Sequence, residues 1–337
     1  MLFNNLIRPV KSRVSFPPCH LHRSSVRNIV KWKAKYARDR EPILPSSLVP
    51  VSWVYSNLSR IKILDASWFM PNDSRNAKKE FELKHLPTSQ FFDLDFISDH
   101  STSLPHMLPS SQQFTTEMIK FGIKHDDPII IYDSKGIFSS PRVWFTFKCF
   151  GVRDVGIMNG GLPMWENKLL PLESGPSKRK EMEQFIPKDF TSDLIVGYEE
   201  ILTQAKLSAT EQTFQLLDAR SNGRFTGNDP EPRPGLSSGH IPHSISIPYT
   251  ELIKKDENNL IVLKNEEELK KVFEDAGVDL SDSNSRIVST CGTGVTASVI
   301  AFALDLLGHK NYAIYDGSWT EYASKKTSII KTTATKK

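Results

Sequence analysis

Short apolar runs alternate with longer helical patterns along most of the chain. Ile129-Ile130-Ile131-Tyr132 and Arg286-Ile287-Val288-Ser289-Thr290 are strand-like, whereas residues 143–152 and 295–307 are apolar stretches interrupted by Ser, Thr, Lys or Asp. The interrupted stretches read as buried helices. Strands that are apolar on both faces and separated by helical patterns predict mainly parallel sheets covered by helices, an α/β architecture. No stretch approaches the roughly twenty apolar residues that cross a bilayer, so no membrane span is expected. In parallel sheets of this kind ligands gather beyond the carboxyl ends of the strands, which points to the residues after Thr290.

The second half of the chain repeats the first. Ile129-Ile130-Ile131-Tyr132-Asp133-Ser134-Lys135-Gly136 matches Ile287-Val288-Ser289-Thr290-Cys291-Gly292-Thr293-Gly294, so Asp133 precedes Cys291 by 158 residues. Upstream, Ile63-Leu64-Asp65-Ala66-Ser67 with His85-Leu86-Pro87 matches Leu216-Leu217-Asp218-Ala219-Arg220 with His240-Ile241-Pro242. Downstream, Met158-Asn159-Gly160-Gly161 matches Tyr315-Asp316-Gly317-Ser318. An internal repeat of this length implies two similar domains in tandem. One copy keeps a cysteine where the other has a carboxylate, which cannot attack or carry sulfur.

Cys291 opens the run Cys291-Gly292-Thr293-Gly294-Val295-Thr296 between a strand and a helix. Two glycines let such a loop curl so that successive amides converge on the sulfur, and the helix dipole adds positive potential at the same point. That environment favours a thiolate nucleophile. The structural alternative is a small hydrophobe closing a buried strand. A phosphate-binding loop of the C-x5-R type requires a guanidinium at position 297, which is Ala297. A persulfide needs amides and no arginine, so sulfur transfer fits the loop better than phosphate-ester hydrolysis.

These motifs, together with Gly223-Arg224-Phe225-Thr226-Gly227, Pro230-Glu231-Pro232-Arg233 and Tyr315-Asp316-Gly317-Ser318-Trp319, resemble the two-domain rhodanese superfamily, and within it the 3-mercaptopyruvate sulfurtransferases. The resemblance runs from about Ser52 to about Tyr322. It implies two tandem rhodanese-like domains: an inactive one over 46–169, a linker over 170–191 and a catalytic one over 192–324. It also implies that the loop residues Gly292, Gly294, Val295 and Thr296 cradle the substrate sulfur. The neutral pair Gly292 and Thr293 resembles the mercaptopyruvate branch, where thiosulfate-preferring members carry basic residues. Arg224 and Arg233 lie in a Gly/Pro-rich loop, and arginine suits a planar carboxylate; the family places the substrate carboxylate and ketone on these two. The bland alternative is a loop arginine that is simply solvated or pairs with Glu231. A relay of Asp95, His106 and Thr293 is likewise implied by the resemblance, with Thr293 standing where relatives often have Ser. The implied reaction is ping-pong, with Cys291 taking sulfur from a small-molecule donor and passing it to cyanide, a thiol or a thioredoxin-like acceptor. It needs no cofactor and no metal, and the chain has no CxxC, HExxH or zinc-like Cys/His spacing. Alternatives are a thiosulfate-preferring rhodanese, a sulfur relay to a protein acceptor in tRNA wobble-uridine thiolation, or a non-catalytic interaction module.

Composition changes the picture at the ends only. With 39% hydrophobic and 24% charged residues in 337, the chain can fill two cores. Residues 1–38 carry nine Lys or Arg and no Asp or Glu, with Leu2, Phe3, Leu6 and Ile7 interspersed. This is the composition of a mitochondrial transit peptide, expected over 1–45, with a cytoplasmic pool left open and a basic nucleic-acid-binding tail as the alternative. Without those nine charges the net +4 becomes −5, so the basic balance says nothing for nucleic-acid binding by the folded part. The Lys/Thr/Ser-rich residues 325–337 read as a disordered tail. Cys19, in the leader, and Cys149, in an apolar helical pattern, suggest no disulfide framework.

Overall fold

The computed structural model describes residues 43–177, 185 and 190–333. The expected leader as far as residue 42 lies outside the described residues, as do Cys19, 178–184 and 186–189 of the expected linker, and 334–337 of the tail. Both sheets belong to one unit, residues 42–337.

The first half contains β1 (Leu48–Val49), α1 (Val51–Ser56), β2 (Lys62–Asp65), α2 (Ala77–Leu83), β3 (Gln90–Phe91), α3 (Ser111–Phe121), β4 (Ile129–Tyr132), α4 (Ser140–Cys149), β5 (Val155–Met158) and α5 (Gly161–Asn167). The second contains β6 (Ile195–Val196), α6 (Tyr198–Lys206), β7 (Gln215–Asp218), α7 (Asn222–Thr226), β8 (Ile245–Ser246), β9 (Ile253–Lys255), β10 (Ile261–Leu263), α8 (Glu266–Asp275), β11 (Ile287–Thr290), α9 (Ala297–Leu306), β12 (Tyr312–Tyr315) and α10 (Ser318–Tyr322). The strand orders are β1-β5-β4-β2-β3 and β6-β12-β11-β7-β8, the same order in both copies, with every pairing parallel. Among the strands of the described residues, the hairpin β9–β10 is the antiparallel pair. The central strands β4 and β11 are buried along their whole length, as a sheet covered on both faces requires. No helix among the described residues is long and apolar enough to cross a membrane.

The halves meet through the helices that follow their two loops. In α4 every residue but Lys148 is buried, and in α9 all of 297–304 are, because each helix faces its own sheet on one side and the other helix on the opposite side. The polar contacts across the seam are also paired. Asn159 Oδ1 accepts the Leu263 N–H at 3.1 Å, and its counterpart Asp316 accepts the Leu108 N–H on Oδ2 at 2.9 Å.

Two expected boundaries fall short of what the structure shows. The expected linker starts at 170, yet Glu173 forms a backbone bridge with His85; the expected disordered tail starts at 325, yet Lys331 forms the matching bridge with His240. Each histidine ring also bonds a carbonyl, His85 Nδ1 to Phe81 O at 2.7 Å and His240 Nδ1 to Phe225 O at 2.9 Å, and each stacks on that phenylalanine. Glu173 and Lys331 are again 158 residues apart, so a closing strap ends each copy of the repeat. A segment held by isolated backbone bridges has no apolar period, and therefore no signature in the hydrophobic pattern.

Candidate active site

Strand β11 delivers Cys291 to the seam, where it is 2% exposed. The start of α10 supports its loop from below. Cys291 donates its N–H to Ser318 Oγ (3.3 Å), its carbonyl accepts the Trp319 N–H (2.9 Å), and Gly292 O accepts both the N–H (3.0 Å) and the hydroxyl (2.7 Å) of Thr320. Gly294 turns the loop at φ +80°, and a Cβ there would lie 3.0 Å from Arg142 Nη1, so both conformation and space call for glycine. Val295 is buried, which leaves its amide rather than its side chain to serve the loop; Thr296 precedes the first turn of α9.

The equivalent loop of the first half shows how this turn holds an anion. Asp133, 1% exposed, accepts hydrogen bonds from the backbone N–H of Lys135 (2.9 Å) on Oδ1, and from Phe138 (2.9 Å), Ser139 (3.1 Å) and Ser140 (3.0 Å) on Oδ2. The Ser140 hydroxyl adds a further bond to Oδ2 at 2.6 Å. Oδ2 is two bonds from Cβ, as the outer sulfur of a cysteine persulfide is. Counting 158 residues on, the matching amides are those of Thr293, Thr296, Ala297 and Ser298.

On one side of Cys291 stand the arginines. Helix α7 carries Arg224, whose Nη2 would lie 3.4 Å from a Cβ on Gly292. Arg224 is anchored by Glu231, through Nη2 at 2.5 Å and Nε at 3.2 Å, so the ion pair weighed against a substrate role does exist for this residue. Glu231 is shared with the fully buried Arg220, which also binds Asp218 (2.6 Å) and the Gly239 carbonyl (2.7 Å) and packs over the Trp319 ring. Arg233 has no hydrogen bond or ion pair among the described residues. Burial lowers its pKa, and the neighbouring Cys291 acts against this.

On the other side the structure brings together Asp95, His106 and Thr293, the three residues of the expected relay, from both halves. His106 Nε2 lies 2.9 Å from Asp95 Oδ1, and Nδ1 lies 2.9 Å from Thr293 Oγ1. Trp68 donates its indole N–H to the same Asp95 oxygen (3.0 Å) and meets the imidazole edge to face. Burial lowers the pKa of His106, with Asp95 acting against it, while the hydrogen bond from His106 lowers the pKa of Asp95. At neutral pH the pair is therefore a neutral imidazole and a carboxylate. Nε2–H then donates to Asp95, leaving Nδ1 to accept the Thr293 hydroxyl proton.

The sequence marked Glu231 only as a competing partner for the arginines and did not single out Arg220, Ser318, Trp68 or Arg142. Glu231 and Ser318 lie inside recognised motifs; Trp68 and Arg142 are brought in by tertiary packing and left no local signal. A surface depression of about 700 Å³ in the first half, lined by Phe81, Phe91, Phe96 and Lys120, includes none of the residues named for the site.

The rhodanese-like domain model matches twice, over residues 51–168 and 202–325. The chain is 40% identical over 317 residues to thiosulfate/3-mercaptopyruvate sulfurtransferase 1, mitochondrial, of Arabidopsis thaliana, covering 88% of this chain and 80% of that one. It is 39% identical to a probable 3-mercaptopyruvate sulfurtransferase of Schizosaccharomyces pombe, covering 85% and 97%. Among solved structures, the sub-stoichiometric sulfur transferase subunit of yeast mitochondrial complex I superposes with a TM-score of 0.76 at 33% identity, covering 85% and 99%. Twin sheets of one strand order, a cysteine loop in one copy and its carboxylate counterpart in the other, and these likenesses agree: the chain belongs to the rhodanese family, as a tandem two-domain member.

Proposed function

We propose that this protein is a sulfurtransferase that moves the sulfur of 3-mercaptopyruvate, as a persulfide on Cys291, to a thiol or cyanide. The observation that carries this reading is the seating of Asp133: the loop geometry that binds its terminal oxygen with amide donors is the geometry an outer sulfur on Cys291 requires. The names of the relatives support the choice of donor.

In the first half-reaction the Cys291 thiolate attacks the donor sulfur. The C–S bond breaks with its electron pair passing to the pyruvate enolate, and the proton of the donor thiol ends on the enolate carbon. Thr293, backed by His106 and Asp95, is positioned to move that proton. Arg233 binds the donor carboxylate, with Arg224 held by Glu231 as the second, less mobile cation. In the second half-reaction an acceptor thiolate attacks the outer sulfur, the S–S bond breaks, and Cys291 returns as thiolate.

Thiosulfate preference and a tRNA-thiolation relay are not favoured. A protein partner is a proposal that rests on the likeness to the yeast complex I subunit. Mitochondrial import rests on the basic leader and on the mitochondrial relative, and fractionation of cells expressing a tagged full chain tests it. The central test is steady-state turnover of the full chain with 3-mercaptopyruvate and thiosulfate side by side. Higher kcat/KM for mercaptopyruvate is expected; a preference for thiosulfate would overturn the donor assignment.

A further inference from the structure

Arg142 lies in α4, in the half that lacks the nucleophile, and is 1% exposed. Its Nη2 donates to the carbonyl of His106 (2.5 Å) and to Asp316 Oδ1 (2.6 Å). Asp316 uses its other oxygen for the N–H of Leu108, two residues beyond His106, and opens the segment whose Ser318 and Trp319 support Cys291. One guanidinium thus ties the relay histidine to the underside of the cysteine loop.

Two further observations mark this contact as more than a buried ion pair. His106 adopts φ +62°, a left-handed conformation that costs a non-glycine residue free energy and persists only where its surroundings impose it. Its ring is held by Asp95 and Thr293, and its backbone is held by Arg142. The other terminal nitrogen, Arg142 Nη1, is buried without a hydrogen-bond partner, which is rare for such a group. It is aimed at the Gly294 turn, where a Cβ would come within 3.0 Å of it.

We propose that Arg142 is a positioning residue for sulfur transfer: it holds His106 and the Gly294 turn in register across the seam, so that the relay meets the Cys291 loop. The proposal rests on the reading of Asp95, His106 and Thr293 as the proton relay. It explains how the first half, which has no nucleophile of its own, contributes to the reaction.

The charged and titratable groups facing His106 are Asp95, which raises its pKa, and Arg142 and Arg233, which lower it. Loss of Arg142 therefore moves His106 titration upward, and with it the acid limb of activity.

The test is the full chain with Arg142→Met and Asp316→Asn combined, which avoids a lone buried charge and keeps an oxygen for the Leu108 N–H. Arg142→Lys, which retains the charge and one of the two bonds, serves as the partial rescue and as the fallback should the double variant not fold. With 3-mercaptopyruvate, whose enolate needs a proton, kcat is expected to fall between about ten- and a hundredfold with KM little changed. The acid limb of kcat/KM is expected to move to higher pH. With thiosulfate, whose sulfite leaving group needs no proton, kcat is expected to stay within about twofold, and Arg142→Lys to recover part of the mercaptopyruvate rate. Equal losses with both donors and an unmoved pH profile would overturn the proposal and leave Arg142 as a structural pair. His106→Asn measured in parallel separates the two ideas. Donor discrimination by His106→Asn without discrimination by the Arg142 variants sinks the proposal alone, and absence of discrimination by His106→Asn sinks the relay reading beneath it.

Discussion

The Trp144 ring meets the Phe302 ring edge to face at 4.9 Å, joining α4 of one half to α9 of the other. Both side chains are fully buried, and each helix leads out of one of the two equivalent loops, that of Asp133 and that of Cys291. The packing that fuses the halves is therefore the same packing that orients the two loops.

Phe302→Ala is expected to destabilise the protein by about 3–5 kcal/mol, the usual cost of emptying a buried aromatic site. Urea unfolding should show a lower midpoint. A second transition should appear if the halves then unfold separately, and an unchanged midpoint would mean the seam contributes little.

Cys291→Ser is expected to abolish pyruvate release from mercaptopyruvate, while Cys149→Ser retains most of it. Cys149 is fully buried, and burial raises its thiol pKa well above the usual range, so it is neither reachable nor ionised. Intact-mass measurement after donor treatment should find one added sulfur in the native chain and none in Cys291→Ser.

Arg233→Ala should raise KM for mercaptopyruvate between about ten- and a hundredfold, the value of a charge-assisted bond to a carboxylate. The methyl ester of the donor carboxylate, which keeps the thiol and loses the charge, should not show this sensitivity. Comparable losses with donors that lack the carboxylate would remove the assigned role.

Asp65 gives a pH dependence with a definite sign. Its counterpart Asp218 is paired with Arg220, but the first half has Ser67 at that position, and burial lifts the Asp65 pKa from 3.8 to about 6. Between those values the folded state binds more protons than the unfolded one. Stability contributed here is present below about pH 4 and is lost as pH rises through about 6, by an amount on the order of 3 kcal/mol. Asp65→Asn should flatten this part of the stability profile in urea titrations across that window; an unaltered slope would assign the dependence to other groups.

Truncation after Ser324 should weaken donor binding even though it removes no site residue. It deletes the Lys331 bridge to His240, the bond from Thr333 N–H to Thr226 O in α7, and Thr332, whose side chain fills the space that a Cβ on Gly227, at the end of that helix, would need. Since α7 carries Arg224, KM should rise more than kcat falls. Truncation after Thr333 is the control and should behave as the full chain does.

Much of this was legible in the sequence because the repeat is carried by local signals. Buried strands, the Asp133/Cys291 substitution and the Gly-rich loops each occupy a few contiguous residues, and their recurrence in the same order, 153 to 158 residues apart, exposes the duplication. Asp95, His106 and Thr293 entered only through resemblance, since residues 187 apart in the chain share no period. Arg142 and Asp316, 174 apart, were illegible for the same reason. Burial of an arginine is decided by its partner rather than by its neighbours in sequence, and the straps at 173 and 331 rest on backbone bonds that any side chain permits.

The occupied seat around Asp133 has a stoichiometric consequence. Because a fixed carboxylate oxygen saturates the amides of the first loop, that loop has no capacity for a mobile sulfur, and the chain holds one charge of sulfur rather than two. A single turnover without acceptor should therefore release one pyruvate per polypeptide and stop. The next donor waits on discharge of Cys291, so that at high donor concentration the supply of acceptor sets the pace.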